Sequence, residues 1–218
     1  MRRRCLVACT LAMLALPATL HGQGVALSVR AGTLGPSVGA TIGLMDKVNL
    51  RIDVPKFSYE TTGTHPQETF DLAYTATLDL FSVSGLVDVH PFGNAFRLVG
   101  GMVLNRNEGT LQIKSASSHT VGNQTFTAEQ IGTLEGLIEP GSEISPYVGI
   151  GFGNPVAAGK RVGLTLDLGV VMMGSPKFSM TGNGMIAPTT AEASKIQSNM
   201  EWAKYYPSVA IGLTFKVF

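Results

Sequence analysis

Seven charged residues recur where the chain alternates between apolar and polar side chains, and they are the first candidates for chemistry. Because side chains of a β-strand alternate between its two faces, these charges fall on the face opposite the apolar one. In a closed barrel of such strands that face lines the lumen. Acidic and basic groups there either neutralise one another as ion pairs or line a narrow path for ions or small solutes. The seven are Arg30, Arg51, Asp53, Asp88, Arg97, Asp167 and Lys216.

Histidines and serines in the predicted outer loops raise a second possibility, nucleophilic catalysis on lipid at the outer rim. His65 and His119 fall in such loops. Neither a GxSxG-like elbow nor a fixed triad spacing accompanies them, so we interpret them as solvated loop residues. His90 is predicted to face inward beside Asp88, where it joins the polar network. The neighbouring loop hydroxyls and acids are Ser58, Glu60, Glu68 and Ser118.

Metal, cofactor and nucleic-acid chemistry find no support in the residues. No two histidines have metal-ligand spacing, no P-loop occurs, and the glycines at 149, 151 and 153 lie within a predicted strand instead of beginning a helix. Both cysteines fall in the predicted signal peptide, which leaves the mature chain without a thiolate. The chain has 16 Lys and Arg against 15 Asp and Glu, which implies no nucleic-acid partner. We expect no cofactor and no metal.

The elements that must position these residues are strands whose apolar face is on the outside. The clearest is 162–172, where Leu164, Leu166 and Leu168 share one face while Thr165 and Asp167 share the other. A soluble barrel has its apolar face inward, so charges on the other face indicate a barrel whose outside contacts lipid. We predict an all-β, transmembrane, antiparallel up-and-down β-barrel of about eight strands, with six or ten as alternatives. The strands are predicted near 25–33, 37–45, 47–59, 74–91, 95–107, 144–153, 162–172 and 206–218.

The connections between these strands differ in length on the two sides of the membrane, as is typical of such barrels. With both termini periplasmic, the three periplasmic turns are short, whereas only the first of the outer connections, around Gly35 and Pro36, is brief. We interpret 108–143 as a long outer loop, with short β-like pieces around 111–114 and 131–138 that could extend the wall beyond the membrane. The periplasmic turns are predicted at 45–47, 91–95 and 154–160, and the long outer loops at 60–73, 108–143 and 180–205.

One short helix is predicted in the last outer loop. Thr189 and Glu192 have capping-box spacing, and Pro207 ends the segment. We interpret it as a structural cap over the barrel mouth, with a surface for ligand or lipid as the alternative. The apolar face of this helix comprises Ala193, Ile196, Met200 and Ala203.

Aromatic residues are predicted to form interfacial girdles at the two rims of the barrel. The outer girdle comprises Tyr59, Tyr74, Phe178, Trp202, Tyr205 and Tyr206, and the inner one Phe92, Phe96 and Phe218.

The N-terminus is predicted to be a cleaved secretory signal, followed by one domain. Three arginines precede an apolar run from Cys5 to Leu20, which is too short to span a membrane comfortably as a helix. We assign residues 1–22 to the signal peptide and 23–218 to the barrel domain, with cleavage after Ala18 also open. A lipid anchor on Cys9 is a less favoured alternative, because the apolar core follows this cysteine instead of preceding it.

Six short motifs, in their order and spacing, resemble a family of small, largely uncharacterised outer-membrane β-barrel proteins of Gram-negative bacteria. This resemblance implies the fold and a location in the outer membrane, and it brings no catalytic residues. The motifs are Ala31–Gly35 (AGTLG), His90–Leu98 (HPFGNAFRL), Pro146–Asn154 (PYVGIGFGN), Leu166–Val170 (LDLGV), Gly174–Lys177 (GSPK) and Tyr205–Pro207 (YYP).

The end of the chain resembles the terminal strand of assembled outer-membrane barrels, which closes with an aromatic residue. Phe218 is therefore the predicted assembly signal, although Lys216 occupies a position where an apolar residue is usual. The expected partners are outer-membrane lipid and the barrel-assembly machinery, and we expect a monomer. The predicted function is non-enzymatic, structural or surface-binding through the outer loops, with a lumen plugged by the charged network; a narrow channel and, less favoured, a lipid-modifying enzyme are the alternatives.

Overall fold

The protein is described by a computed structural model covering residues 24–66, 71–115, 118–121, 123–159 and 161–217. The predicted signal peptide, residue Glu68 and the predicted assembly signal Phe218 lie outside the described residues.

Thirteen β-strands make up most of the described part of the chain, and eight of them close into an antiparallel barrel. The barrel strands are the first five, the tenth, the eleventh and the thirteenth, and pairing of the thirteenth strand with the first completes the ring. This confirms the predicted eight-stranded barrel. The strands are β1 (Val25–Gly32), β2 (Ser37–Met45), β3 (Val48–Pro66), β4 (Asp71–Val89), β5 (Phe96–Asn105), β6 (Glu108–Ser115), β7 (His119–Val121), β8 (Gln124–Phe126), β9 (Thr133–Glu139), β10 (Ile144–Phe152), β11 (Val162–Met172), β12 (Lys177–Gly182) and β13 (Tyr205–Lys216).

The outer surface of the barrel is a belt of exposed aliphatic side chains, as the alternation predicts. Along β11, Leu164, Leu166 and Leu168 are exposed while Thr165 and Asp167 are buried in the lumen. Only lipid can cover such a belt favourably, and closure leaves no unpaired strand edge within it. At the rim with the short turns, which the sequence predicts to be periplasmic and which we call the periplasmic rim, the rings of Phe92, Phe96 and Phe152 contact one another in series, with centroids 6.0 and 5.6 Å apart.

Five strands continue the barrel wall beyond its outer mouth, and we call this extension the outer sheet. It comprises the outer parts of β3 and β4 together with β6, β9 and β12, in the order β3-β4-β6-β9-β12. The β-like pieces predicted within 108–143 do extend the wall, whereas the interpretation of this segment as one long loop is wrong over most of its length. The outer loop predicted at 60–73 is likewise largely strand, since β3 continues to Pro66 and β4 begins at Asp71. Brief interruptions at 106–107, 140–143 and 173–176 separate the outer strands from β5, β10 and β11, which hid their continuity in the sequence.

The outer sheet carries the helical segments of the chain. The α-helix α1 (Ala128–Ile131) has a capping box between Thr127 and Gln130. Hydrogen bonds from its own backbone N–H and from the Thr127 hydroxyl hold the pKa of the exposed Glu129 below its usual range.

The predicted helix is α2 (Ala193–Asn199), flanked by 3-10 helices Gly184–Glu192 and Glu201–Lys204. It begins later than predicted: Thr189 lies in the preceding 3-10 helix, and Glu192 makes no side-chain capping bond. The predicted apolar face is half-buried. None of the helices within the described ranges is long and apolar enough to cross a membrane.

Candidate functional site

The lumen contains a layer of six ionised side chains, three arginines and three aspartates, contributed by five strands. Arg51 is at its centre, with Nη1 3.0 Å from Asp167 Oδ2, Nη2 3.3 Å from Asp88 Oδ1, and Nε 3.6 Å from Asp53 Oδ2. Arg30 Nη1 lies 3.0 Å from Asp53 Oδ2 and 3.6 Å from Asp167 Oδ2. We call these residues, with Arg97, the charged layer.

Arg97 links the charged layer to the periplasmic end of the barrel. Its Nη2 donates to Asp167 Oδ1 at 2.8 Å and its Nε lies 3.8 Å from Asp88 Oδ2. Its Nη1 donates to the carbonyl oxygen of Gly153 at 2.5 Å, at the base of the turn between β10 and β11. All six side chains are at most 10% exposed, and their formal charges cancel. Burying these groups without partners would cost several kcal/mol per ion, so mutual pairing is what makes the layer tolerable.

Glycines facing the lumen make room for the charged layer. A Cβ added to Gly151 would lie 2.5 Å from Arg97 Nε, and one added to Gly212 would lie 2.5 Å from Arg30 Cγ. A Cβ on Gly39 would overlap the carboxylate of Asp53. An eight-stranded barrel leaves an interior barely wide enough for side chains. The glycines at these strand positions are therefore explained by the bulk of the charged side chains opposite them.

Lys216 lies apart from the charged layer. Its Nζ donates to the carbonyl oxygens of Val156 and Ala157, at 2.9 and 3.4 Å. Val156 is buried, and the turn that carries it folds under the periplasmic mouth. Six of the seven charged residues predicted from the sequence are thus close together in the charged layer. The seventh, Lys216, instead makes hydrogen bonds to the backbone of a turn.

His90 also belongs to the periplasmic end. Its Nδ1 faces the carbonyl oxygen of Asn94 at 3.0 Å and must therefore be the donor, which leaves Nε2 to accept from Asn49 Nδ2 at 3.2 Å. Asn49 Nδ2 also donates to Asn154 Oδ1 at 3.4 Å. One ring nitrogen of His90 therefore contacts a side-chain amide and the other a backbone carbonyl. No nucleophile is among its hydrogen-bond partners in the described residues, so we interpret its role as structural. The part of the chain that is described contains no cluster of potential metal ligands.

The outer half of the lumen contains an apolar cluster together with buried hydroxyl groups, among them those of Ser84, Ser145 and Ser208. The cluster lies above the charged layer, with Leu34 and Tyr206 packed against it. The Tyr206 hydroxyl donates to the carbonyl oxygen of Thr33 at 2.7 Å, closing this end against the first outer loop. The cluster comprises Leu86, Val99, Val103, Tyr147, Val171 and Met173.

A small cavity of about 60 Å³ lies between the first outer loop and the charged layer. Leu34 and Gly35 line it on the loop side, and Arg30, Asp53 and Asp167 line it on the charged side. Its volume suits a few water molecules or one small ion. We call it the outer vestibule of the lumen.

The inner face of the outer sheet continues the lumen beyond the membrane, and it is apolar. Phe178 packs over Gly136, and the Tyr74 ring packs over Gly63. Tyr59, Tyr74 and Phe178 therefore lie on this inner face and not in the outward girdle that the sequence predicted. Tyr206 also departs from that girdle, because it packs against the apolar cluster in the lumen. The opposite face of the same strands is polar, with Glu60, Thr62, Asp79, Thr110, Gln112, Lys114 and Glu135.

Three adjoining cavities lie where the barrel meets the outer sheet. The first, about 400 Å³, is almost wholly apolar and lies on the inner face of the outer sheet, between α2 and the strands. The second, about 220 Å³, shares Gly109 and Ile138 with it and reaches Met173 and Tyr206. The third, about 320 Å³, is polar and shares five lining residues with the second: Asn105, Asn107, Glu108, Glu139 and Pro140.

Sequence reasoning missed these cavities because their lining comes from segments interpreted as loop. The available signal was the alternation of Gly109, Leu111 and Ile113 with polar residues, which has the period of a strand with one apolar face.

The comparisons with known proteins identify the fold. No family model and no curated protein matches the sequence. The crystal structure of Acinetobacter baumannii CarO2 is similar, with a TM-score of 0.59 and 17% identity, over 89% of this chain and 99% of that chain. The crystal structure of Acinetobacter baumannii CarO gives a TM-score of 0.57 and 18% identity, over 88% of this chain and 97% of that chain. At this identity the likeness shows the fold alone, which is the closed eight-stranded barrel of outer-membrane proteins.

Proposed function

We propose that this protein is a non-enzymatic outer-membrane barrel whose lumen is plugged and whose outer sheet carries a binding function. The observation that carries the proposal is the charged layer, in which each arginine is ion-paired with at least two aspartates across the lumen. An apolar cluster above this layer and the buried Val156 of the periplasmic turn below it support the same conclusion. The barrel then serves to hold the outer sheet at the cell surface.

Several further properties belong to this proposal. A cleaved signal peptide exports the chain, the barrel-assembly machinery recognises the terminal strand with Phe218, and the monomer is surrounded by outer-membrane lipid. The belt of exposed aliphatic side chains supports the last of these, because lipid is the solvent that such a surface requires.

The test is ion conductance of the refolded mature chain in a planar lipid bilayer, with wild type beside Asp167→Asn. Insertion is verified separately by heat-modifiable electrophoretic mobility. We expect a folded protein with no steady conductance in either form. Asp167 has ion pairs to three arginines, so its charge would dominate the field on any permeating ion.

A narrow channel for ions or small solutes is the second candidate, and the outer vestibule favours it. This cavity brings the outer mouth within reach of Arg30, Asp53 and Asp167. Stable single-channel steps in the wild type, altered in amplitude or ion preference by Asp167→Asn, would establish the channel and overturn the plugged barrel.

A further inference from the structure

We propose that the three cavities between the barrel and the outer sheet bind one acyl amphiphile with a positively charged head. Its hydrocarbon chain fills the two apolar cavities, its carbonyl oxygen accepts a hydrogen bond from Asn105, and its ammonium group lies at Glu108 and Glu139. The inference rests on the proposed function, since it assigns a ligand class to the outer region of a plugged barrel.

The first argument is the apolar surface itself. Leu78, Leu111 and Ile138 are each about 40% exposed on the inner face of a sheet that lies beyond the lipid belt. Outside the membrane, contiguous exposed apolar surface of this kind marks an interaction site. The larger apolar cavity, at about 400 Å³, is within the range of small-molecule sites. Thr77 and Thr110 are the two polar residues in its lining, so it suits a hydrocarbon chain.

The second argument is an unpartnered donor at the end of the apolar cavities. Asn105 is 1% exposed and lines both the second and the third cavity. Its Oδ1 accepts from the backbone N–H of Asn107 at 3.2 Å, whereas its Nδ2 has no hydrogen-bond partner within the described structure. A buried amide N–H without an acceptor is destabilising. A ligand carbonyl placed where the hydrocarbon chain ends would satisfy it.

The third argument is the charge of the polar cavity. It is lined by two cations and three carboxylates, and Arg106 pairs with Glu143 at 3.1 Å. Glu108 and Glu139, which alternation places on the outward face of the wall, then remain against the single ammonium group of Lys177. The head reaches them through the break between β5 and the outer sheet, where Asn105 and Asn107 line both the second and the third cavity. The excess of carboxylate favours a cationic head over a neutral or anionic one.

The experiment uses the mature chain in lipid nanodiscs, labelled at the methyl groups of methionine and isoleucine. Three probes share a dodecanoyl chain and an amide carbonyl and differ only in the head: N-(2-aminoethyl)dodecanamide, N-(2-hydroxyethyl)dodecanamide and N-dodecanoyl-β-alanine. We expect all shifts to centre on Met180, Ile138 and Ile196, which line or border the apolar cavities. The amine should bind at least about fivefold more tightly than the carboxylate.

Two variants assign the parts of the site. Gly109→Leu fills the apolar cavities, since a Cβ at Gly109 meets only the Ile138 Cβ, at 3.9 Å; it should abolish the shifts with all three probes. Gly85→Leu is its matched control on the lipid face, where a Cβ meets nothing within 4 Å, and it should bind as the wild type does. Glu139→Gln should reduce binding of the amine while leaving that of the hydroxyl analogue unchanged, which also tests the site if Gly109→Leu does not fold.

Three results would overturn the inference: no probe shifts these methyl groups, Gly109→Leu binds like the wild type, or the three probes bind equally. Equal binding would indicate a site for acyl chains irrespective of the head, such as those of the surrounding lipid. Conductance plays no part in these readouts, so a conducting barrel would refute the plugged lumen without affecting them, and loss of probe binding would leave the plug intact.

Discussion

The strands β3 and β4 pass through both the barrel and the outer sheet, and their polarity is opposite in the two regions. In the barrel, Ile52 faces lipid while Arg51 and Asp53 face the lumen. In the outer sheet, Thr62 occupies the outward face, whereas Tyr59 lies on the inner face. The register of β3 against β4 shows no shift between these two regions. The two regions therefore differ in which face carries the apolar residues and not in the backbone pairing. This difference follows the surroundings of the outer face, which are lipid around the barrel and water around the outer sheet.

The two regions also differ in what holds their interiors together. The barrel interior is held by buried ion pairs, which are strong only as a complete set because removing one partner leaves a buried charge. The outer sheet is held by apolar packing on one face, by its ladder of backbone hydrogen bonds, and by α2 against its edge strand β12. Substitutions of the interior side chains should therefore lower the free energy of unfolding by more in the barrel than in the outer sheet.

The largest difference is expected when one arginine is removed from each region. Arg51→Met leaves three buried aspartates short of a cation and should lower the free energy of unfolding by about 3–5 kcal/mol. Arg106→Met, which removes an ion pair whose side chains are about 60% exposed, should cost less than about 1 kcal/mol. Urea unfolding of the refolded protein in lipid vesicles measures both. Equal effects would show that the charged layer contributes no more than a surface pair.

The inverted polarity is tested by placing the same charge outward at two points of β3. Ile52→Arg exposes a guanidinium to lipid and should destabilise the barrel by about 2–4 kcal/mol. Thr62→Arg has the same parity in the outer sheet and should change stability by no more than about 0.5 kcal/mol, because an exposed site in water accepts the charge. The same unfolding assay applies, and a comparable loss in both variants would contradict the placement of the membrane boundary between these residues.

The role of the lumen glycines is tested by adding a single methyl group. Gly151→Ala places a Cβ 2.5 Å from Arg97 Nε, so the arginine must move and its pairing with Asp167 weakens; we expect a loss of about 1–3 kcal/mol. Gly85→Ala, on the lipid face with nothing within 4 Å, should be neutral to within about 0.5 kcal/mol. If both changes are neutral, the lumen has more free space than the structure indicates.

The smallest effect is expected at the edge of the outer sheet. Gln197 of α2 accepts from the backbone N–H of Phe178 at 2.6 Å and donates to the carbonyl oxygen of Pro176 at 2.7 Å. Gln197→Ala should cost about 1 kcal/mol and speed hydrogen exchange of the Phe178 amide, while amides of the barrel strands keep their protection. Ser198→Ala, whose hydroxyl bonds only within its own helix at Lys195, serves as the control. Unchanged exchange at Phe178 would mean that α2 does not protect this edge.

The barrel was predictable from the sequence because its strands alternate without interruption against one solvent. Parity placed Arg51 and Asp167 on the same inner surface, where the structure pairs them at 3.0 Å. Parity also predicted that Lys216 belongs to the charged layer. Parity shows which face a side chain is on but not its position along the barrel axis, and Lys216 lies closer to the periplasmic end, at the turn that contains Val156. The position of a residue along the barrel axis depends on the stagger between strands, which one sequence does not reveal.

The outer sheet was not predictable to the same degree, for two physical reasons. Its strands are short and separated from the barrel strands by irregular residues, so Leu111 and Ile113 resemble isolated pieces of a loop. In addition, the apolar face of these strands is the outer one within the membrane and the inner one beyond it. Tyr59 and Tyr74 were assigned to an outward girdle on the assumption that apolar side chains face outward along the whole strand. The helix was recognised from the face that includes Ile196, while its start was misplaced because a 3-10 helix precedes it.

The origin of the charged layer in five strands has a consequence for the order of assembly. Asp167 pairs with all three arginines but belongs to the seventh strand around the barrel, whereas the other five ions of the layer lie in the first five strands, so its charge balances only after most of the chain is in place. A wall without β11 has three arginines against two aspartates, and this excess of positive charge is penalised until Asp167 joins Arg51 and Arg97 and, across the seam between β13 and β1, Arg30. Contacts of such long sequence separation form late and make folding slow. The layer therefore makes the final closing step strongly favourable and discriminates the finished barrel from incomplete ones.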